Sequence, residues 1–196
     1  MARAPRVPKL PAGPATPIVG IDVETASPRH GAVCSIGVSV IHHGKVWRER
    51  HWYLDPGGAF DPRFIAIHGI RPEQVRGEPR LVHAWPSVRG FIDDALGELV
   101  EPTLFAKDAS DAPSPLFVAH NAQFDRMQIE RAIGAPLSFR LACTVAMSRR
   151  AFPRLERHNL AAVSAHLRIA LKHHDALSDA RASALIAHRC LTAPSR

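Results

Sequence analysis

The stretch Ile18-Val19-Gly20-Ile21-Asp22-Val23-Glu24-Thr25 is an apolar run that stops on two carboxylates one residue apart. As a strand it sends alternate side chains to opposite faces, so Asp22 and Glu24 project from the same side at its end. Neighbouring carboxylates repel, and one is driven toward protonation unless a cation joins them. Hard divalent ions such as Mg²⁺ meet that need through oxygen coordination. For the pair alone, a strand running into an acidic loop is the plainer reading, and carboxylates further along the chain must decide between the two.

Around this stretch, 196 residues with 46% hydrophobic and 22% charged side chains describe one ordinary globular domain with room for a substantial core. Lys and Arg (25) exceed Asp and Glu (18), giving a net charge of +7, with 12 His besides. The excess points modestly toward a polyanionic partner. Cys34, Cys143 and Cys190 are odd in number and lack close metal-type spacing, which suits reduced thiols in a cytoplasmic protein. No apolar run approaches the ~20 residues of a membrane span, and the N-terminus lacks the apolar segment of a secretory signal.

Residues 1–17 carry proline at every third position from Pro5 to Pro17, and their only charges are Arg3, Arg6 and Lys9. This is expected to be a flexible Pro/Arg-rich arm ahead of a single domain over 18–196. Ala32 to Ile41 and Val46 to Leu54 read as two antiparallel strands joined by a turn at His42-His43-Gly44-Lys45. Short helical turns around His68-Gly69 are expected to pack on the core. The apolar period near 3.6 predicts a helix over Trp85–Val100, started at Pro86-Ser87 and stopped by Pro102. Glu101 to Pro115 reads as a surface loop, and Leu116 to Ala119 as a short strand. Helices are expected over about 121–133, 144–150, 159–167 and 175–190, with a further strand over Phe139–Cys143. Three strands followed by strand-helix alternation indicate an α/β layered domain with a mixed sheet.

Asn121 is a favourable N-cap, which places Asp125 in the first turns of the helix that follows. Asp125 shares its face with Ile129, Ala132 and Ile133, so it points inward at the C-terminal end of a strand, where open α/β sheets hold ligands. The last helix repeats the pattern. Asp175 is its cap, and Asp179 shares a face with Ala182, Ser183, Ile186 and Cys190. His174 stands just ahead of that cap. Four inward carboxylates and a loop histidine converging on one end of a sheet are hard to explain as scaffold.

Asp22-Val23-Glu24-Thr25, His120-Asn121-Ala122-Gln123-Phe124-Asp125 and His174-Asp175-Ala176-Leu177-Ser178-Asp179 resemble the three exonuclease motifs of the DEDD superfamily, histidine subtype. That group includes the proofreading epsilon subunit of bacterial DNA polymerase III, ribonuclease T and oligoribonuclease. Cys34-Ser35-Ile36-Gly37, His68-Gly69-Ile70 and the segment from Cys143-Thr144 to Asn159-Leu160 are supporting echoes. The subtype with tyrosine in the third motif does not fit, because Tyr53 is the only tyrosine.

The resemblance implies a ribonuclease H-like fold and a metal-dependent 3′–5′ exonuclease that releases nucleoside 5′-monophosphates with two Mg²⁺ or Mn²⁺ ions. It implies that Asp22, Glu24, Asp125 and Asp179 are the metal ligands and His174 the general base. Thr25, His120, Asn121 and Phe124 are the implied substrate contacts. The implied partner is single-stranded or 3′-ended DNA or RNA, with no membrane. The chain ends soon after the third motif, so no long polymerase tether is expected, although polymerase association and oligomeric state stay open. Two alternatives remain: an inactive nucleic-acid-binding module on the same fold, and a ribonuclease H-type endonuclease, which has no need of His174. His173 stands off the motif spacing, and its loss is expected to leave most activity. Arg140, Arg149, Arg150, Arg154 and Arg157 read equally well as a phosphate track or as a solvated basic face.

Overall fold

The computed structural model describes residues 16–99 and 114–193. Nearly all of the proline-rich arm and of the 101–115 loop lies outside the described residues. Thr16 and Pro17 are already buried, and the Pro17 carbonyl accepts from the Leu116 N–H at 2.9 Å.

Strands β1 (Ile18–Thr25), β2 (Val33–His42) and β3 (Lys45–Tyr53) form an antiparallel meander. The β2–β3 connection is the expected two-residue turn, with positive φ at His43 (49°) and Gly44 (73°), as primed hairpin turns require. On its other side β1 pairs in parallel with β4 (Leu116–Ala119), which pairs in parallel with β5 (Leu141–Cys143). The order β3-β2-β1-β4-β5 makes a mixed five-stranded sheet with the motif-bearing β1 at its centre.

Helices cover both faces. Val19, Ile21 and Val23 of β1, with Val33, Ile36, Val38 and Val40 of β2, pack in one core with α2 (Leu81–Gly97) and α3 (Ala122–Ile133). The other face carries Ile18, Gly20, Asp22 and Glu24, and there α6 (Ala176–Thr192) lies against β1 and β2. Cover on both faces explains why β2 alternates only loosely in sequence: all but its last residue are buried. Helices α4 (Thr144–Ala151) and α5 (Leu160–Leu167) pack on α6.

Small residues on both partners let α6 come close to the sheet. Its buried face includes Ala176, Ala180, Ala184 and Ala187. A Cβ on Gly20 would overlap the Ala180 carbonyl oxygen, and one on Gly37 would overlap the Ala176 carbonyl. Asp22 pairs with Gly37 across the ladder, so this approach sets the distance from Asp179 to the β1 carboxylates. Gly37→Ala is therefore expected to cost ~1–3 kcal/mol, the range for overpacking a rigid contact. Urea denaturation checks this, and a midpoint equal to wild type would contradict the packing account.

Several boundaries differ from the sequence reading. Helix α2 starts at Leu81, ahead of Trp85, because the Arg80 carbonyl accepts from the His83 and Ala84 N–H groups and buried Leu81 and Ala84 extend the apolar face. Pro86 lies inside the helix, where its missing N–H forgoes a single bond to the carbonyl of exposed Val82. The helix ends at Gly97, and Pro102 is outside the described residues. Asn121 precedes α3 in the left-handed conformation (φ 68°, ψ 46°) and makes no side-chain cap bond, since that backbone turns its amide away from the first N–H groups. The expected strand over Phe139–Cys143 pairs only from Leu141. Helix α1 (Pro62–His68) buries no residue; Ile70 and Val75, just after it, supply the packing. No helix among the described residues is long and apolar enough to cross a membrane.

Candidate active site

Strand alternation puts Asp22 and Glu24 on the α6 side, and α6 brings Asp179 down to them. Carboxylate oxygens of Asp22, Glu24 and Asp179 lie within 4.8 Å of one another. Asp125 arrives from α3, its side chain buried, with Oδ1 accepting from the Val23 N–H at 3.3 Å. Asp125 is close enough to raise the pKa of both Asp22 and Glu24.

Crowding and burial act together on these acids. Burial, then Asp125, Asp179 and Glu24, hold the Asp22 carboxyl well above the usual carboxylate range. Burial first, then Asp179 and Asp125, push Glu24 up to about 8. Burial lifts Asp125 to about 7 against the opposing Val23 N–H, and burial also raises Asp179 against the His173 bond. Asp179 Oδ1 is buried with no hydrogen-bond partner among the described residues, whereas Oδ2 accepts from the His174 N–H at 3.1 Å. Hard, acceptor-only oxygens that repel one another, one of them orphaned, fit a divalent cation. Asp22, Glu24 and Asp179 suit its ligands, with Asp125 beside them.

The same shifts make a pH prediction for the metal-free protein. A carboxylate whose folded pKa is raised binds protons more tightly when folded, so its folded form loses ground as pH rises from the unfolded value through the folded one. Glu24 runs from 4.5 to about 8. Buried neutral histidines act in the opposite sense only below about 6.5, their unfolded pKa. Between pH 6.5 and 8.5 the melting temperature in chelator is expected to fall by roughly 3–5 °C per pH unit for each proton taken up on folding. Excess Mg²⁺ should flatten the slope. A chelator curve that rises with pH would contradict the crowding account.

The third-motif loop is anchored at α6, where the Asp175 carboxylate accepts from the Ser178 N–H at 3.0 Å and lies 3.2 Å from Lys172 Nζ. Burial works to raise the Asp175 pKa, but these two partners win and hold it below the usual value. His174 adopts φ 64°. Consecutive residues normally point apart; here the left-handed turn brings His173 and His174 together, rings stacked at 3.9 Å and 15°. His173 Nδ1 lies 3.0 Å from Asp179 Oδ2, so the histidine that the motif spacing sets aside holds a side-chain bond to the third-motif aspartate. Burial, then His173, lower the His174 pKa against the pull of Asp179, which keeps the imidazole neutral and able to accept a proton at neutral pH.

The other motif residues are spread around this centre. Thr25 is buried, and its carbonyl accepts from His68 Nε2 at 3.2 Å while His68 Nδ1 accepts from the Ile70 N–H at 2.9 Å. Those two bonds fix the His68 tautomer. His120 has both ring nitrogens engaged: Nε2 donates to the His158 carbonyl at 3.0 Å, and Nδ1 is 2.9 Å from Thr144 Oγ1. Burial pushes its pKa down to about 4, so His120 is a neutral strut tying β4 to α4 and the α4–α5 loop. Asn121 and Phe124 are exposed at the start of α3. Gln128, unremarked in the sequence, is buried one turn beyond Asp125 and accepts from the Gly31 N–H at 2.7 Å, fixing the loop after β1. A groove of about 520 Å³ lies along the third-motif segment, lined by Ser35, His51, Tyr53, Ile67, His68 and residues 172–177. The five arginines from Arg140 to Arg157 are all exposed, and none has an ion pair among the described residues.

The fold is ribonuclease H-like, a mixed sheet flanked by helices with its acids at the end of the central strand. Exonuclease X in complex with 5′ overhanging duplex DNA is similar at a TM-score of 0.61 and 21% identity, covering 89% of this chain and 90% of that one. The 3′-exonuclease of a histone mRNA stem-loop complex is similar at 0.66 and 15%, covering 90% and 82%. Escherichia coli Exonuclease I with a dT13 oligonucleotide is similar at 0.65 and 13%, covering 91% and 41%.

In sequence, the chain is 29% identical over 163 residues to a DNA polymerase III PolC-type from Streptococcus suis and 26% identical over 181 residues to one from Thermotoga maritima. These matches cover 80% and 89% of this chain but only 10% and 12% of the relatives, so the chain spans about a tenth of their length. No family model matches. The likenesses agree with the DEDD exonuclease resemblance carried by the three motifs.

Proposed function

We propose that the chain is a metal-dependent 3′–5′ exonuclease acting in the cytoplasm, with residues 18–196 as one exonuclease domain. The convergence of Asp22, Glu24 and Asp179 within 4.8 Å, with Asp125 beside them, carries this reading. Two bound Mg²⁺ or Mn²⁺ ions would stabilise the attacking and leaving oxygens of the phosphodiester. In this reading Asp22, Glu24 and Asp179 would hold the ions, with Asp22 serving both, and Asp125 would support them directly or through water. His174, exposed in the loop and neutral near pH 7, takes the proton of the attacking water. Thr25, Asn121 and Phe124 are the candidate contacts for the 3′-terminal nucleotide, and His120 steadies the surrounding loops.

The substrate class is single-stranded or 3′-ended nucleic acid. A polymerase is the second candidate partner, because the sequence relatives are polymerases ten times longer than the matching segment. Incubation of 5′-labelled single-stranded DNA, recessed duplex DNA and short RNA with Mg²⁺ tests the reading. Stepwise shortening from the 3′ end to nucleoside 5′-monophosphates, abolished by chelator, is expected. Internal cuts would instead indicate the endonuclease, and binding without cleavage the inactive module; 3′-phosphate products or full activity in chelator would overturn the metal mechanism.

A further inference from the structure

We propose that His173, His174 and Asp179 form a second, transition-metal site, selective for Zn²⁺-type ions over Mg²⁺, whose occupation blocks the reaction. One ligand atom from each of the three lies within 4.8 Å of the others. A tetrahedral ion with bonds of 2.0–2.1 Å needs its ligand atoms roughly 3.4 Å apart, so no pair has to close by more than about 1.4 Å. The side chains can supply that movement, because both imidazoles are exposed while Asp179 is fixed in the core. The left-handed turn at His174 is what brings two adjacent imidazoles to one side of the loop.

The donor set decides the ion. Two imidazoles and one carboxylate suit Zn²⁺, Co²⁺ or Ni²⁺, whereas Mg²⁺ takes oxygen donors and keeps its waters. Three protein ligands plus water also complete a four-coordinate Zn²⁺ centre. The all-oxygen cluster of Asp22, Glu24 and Asp179 has the opposite preference, and Asp179 is common to both. An ion on the histidine site therefore competes with the carboxylate cluster for Asp179 and occupies the imidazole of His174. The inhibitory consequence rests on the exonuclease reading; the binding site itself does not.

Calorimetric titration of the full chain with Zn²⁺ tests the site without reference to activity. Loss of an outer-shell partner already costs a metal roughly 10–100-fold in affinity, so loss of a ligand in His173→Ala should weaken Zn²⁺ binding at least 10-fold. His173→Gln, which keeps the loop polar and folded, should behave the same way. Asp22→Asn, outside the histidine site, should change Zn²⁺ affinity by less than about threefold, well under the loss of a ligand. Wild-type Zn²⁺ affinity in either His173 variant, or an affinity that follows Asp22 instead, overturns the proposal. A second arm adds Zn²⁺ to Mg²⁺-supported cleavage, comparing each protein with its own uninhibited rate. The wild type should be inhibited at least 10-fold more sensitively than His173→Ala, and equal sensitivity overturns the inhibitory role. If no form cleaves in Mg²⁺, the exonuclease reading fails, while the Zn²⁺ affinities still decide whether the histidine site exists.

Discussion

Asp22→Asn is expected to reduce cleavage to background in Mg²⁺ and, in chelator, to melt no lower than wild type. Asp22 sits at the middle of the carboxylate group, and its own pKa is raised by burial and then by Asp125, Asp179 and Glu24. Removing its charge dismantles the metal site, a loss beyond the ~10²–10⁴-fold that a single general base contributes. The same substitution relieves repulsion in the metal-free protein, so the fall of melting temperature between pH 6.5 and 8.5 should also become shallower. Measured rates and melting curves with and without Mg²⁺ separate these effects. A variant that melts lower than wild type in chelator would show that Asp22 stabilises the fold and would remove the argument that its place is kept for a cation.

His174→Ala is expected to cost ~10²–10⁴-fold in turnover while leaving Mg²⁺ binding near the wild-type level. The imidazole supplies a proton acceptor, and the expected Mg²⁺ ligands are all carboxylates. Hydroxide can replace a missing base, so raising the pH should recover part of the lost rate if water deprotonation limits the reaction. His173→Ala is the comparison. The motif spacing expects it to keep most activity in Mg²⁺, although its 3.0 Å contact with Asp179 shows that His173 is no bystander in the metal-free form. A dead His173→Ala alongside a normal His174→Ala would mean that the third-motif register is wrong.

Much of this architecture is legible from residue order because it depends on periodicity and short-range chemistry. The alternation of Ile18–Thr25 places Asp22 and Glu24 together, the helical period of 175–190 turns Asp179 inward, and His43-Gly44 marks a hairpin. Features set by tertiary approach are not legible in that way. Asn121 looks like a cap by composition, but the chain enters α3 through a left-handed turn that denies it the role. Pro86 looks like a helix start, yet Leu81 and Ala84 have a core to bury against and draw the helix forward. The stacking of His173 on His174 needs a positive φ at a histidine, for which the sequence carries no local signal. The glycines at positions 20 and 37 are readable only once it is known which helix lies over them.

The central place of β1 also bears on how the molecule reaches its native state. Its antiparallel partner follows after the seven residues 26–32, whereas pairing with β4, Ile18 opposite Leu116, closes a long chain loop that includes β2, β3, α1 and α2. Closing such a loop costs entropy before any contact repays it, so the β1–β3 meander is expected to form early and the parallel half late. Asp22 and Glu24 belong to the early part, Asp125 follows β4, and Asp179 comes with α6, the last described element. A partly folded chain can thus hold two of the four acids in place while lacking the others. Under the exonuclease reading, cleavage would then appear only with the finished fold, as an all-or-none property.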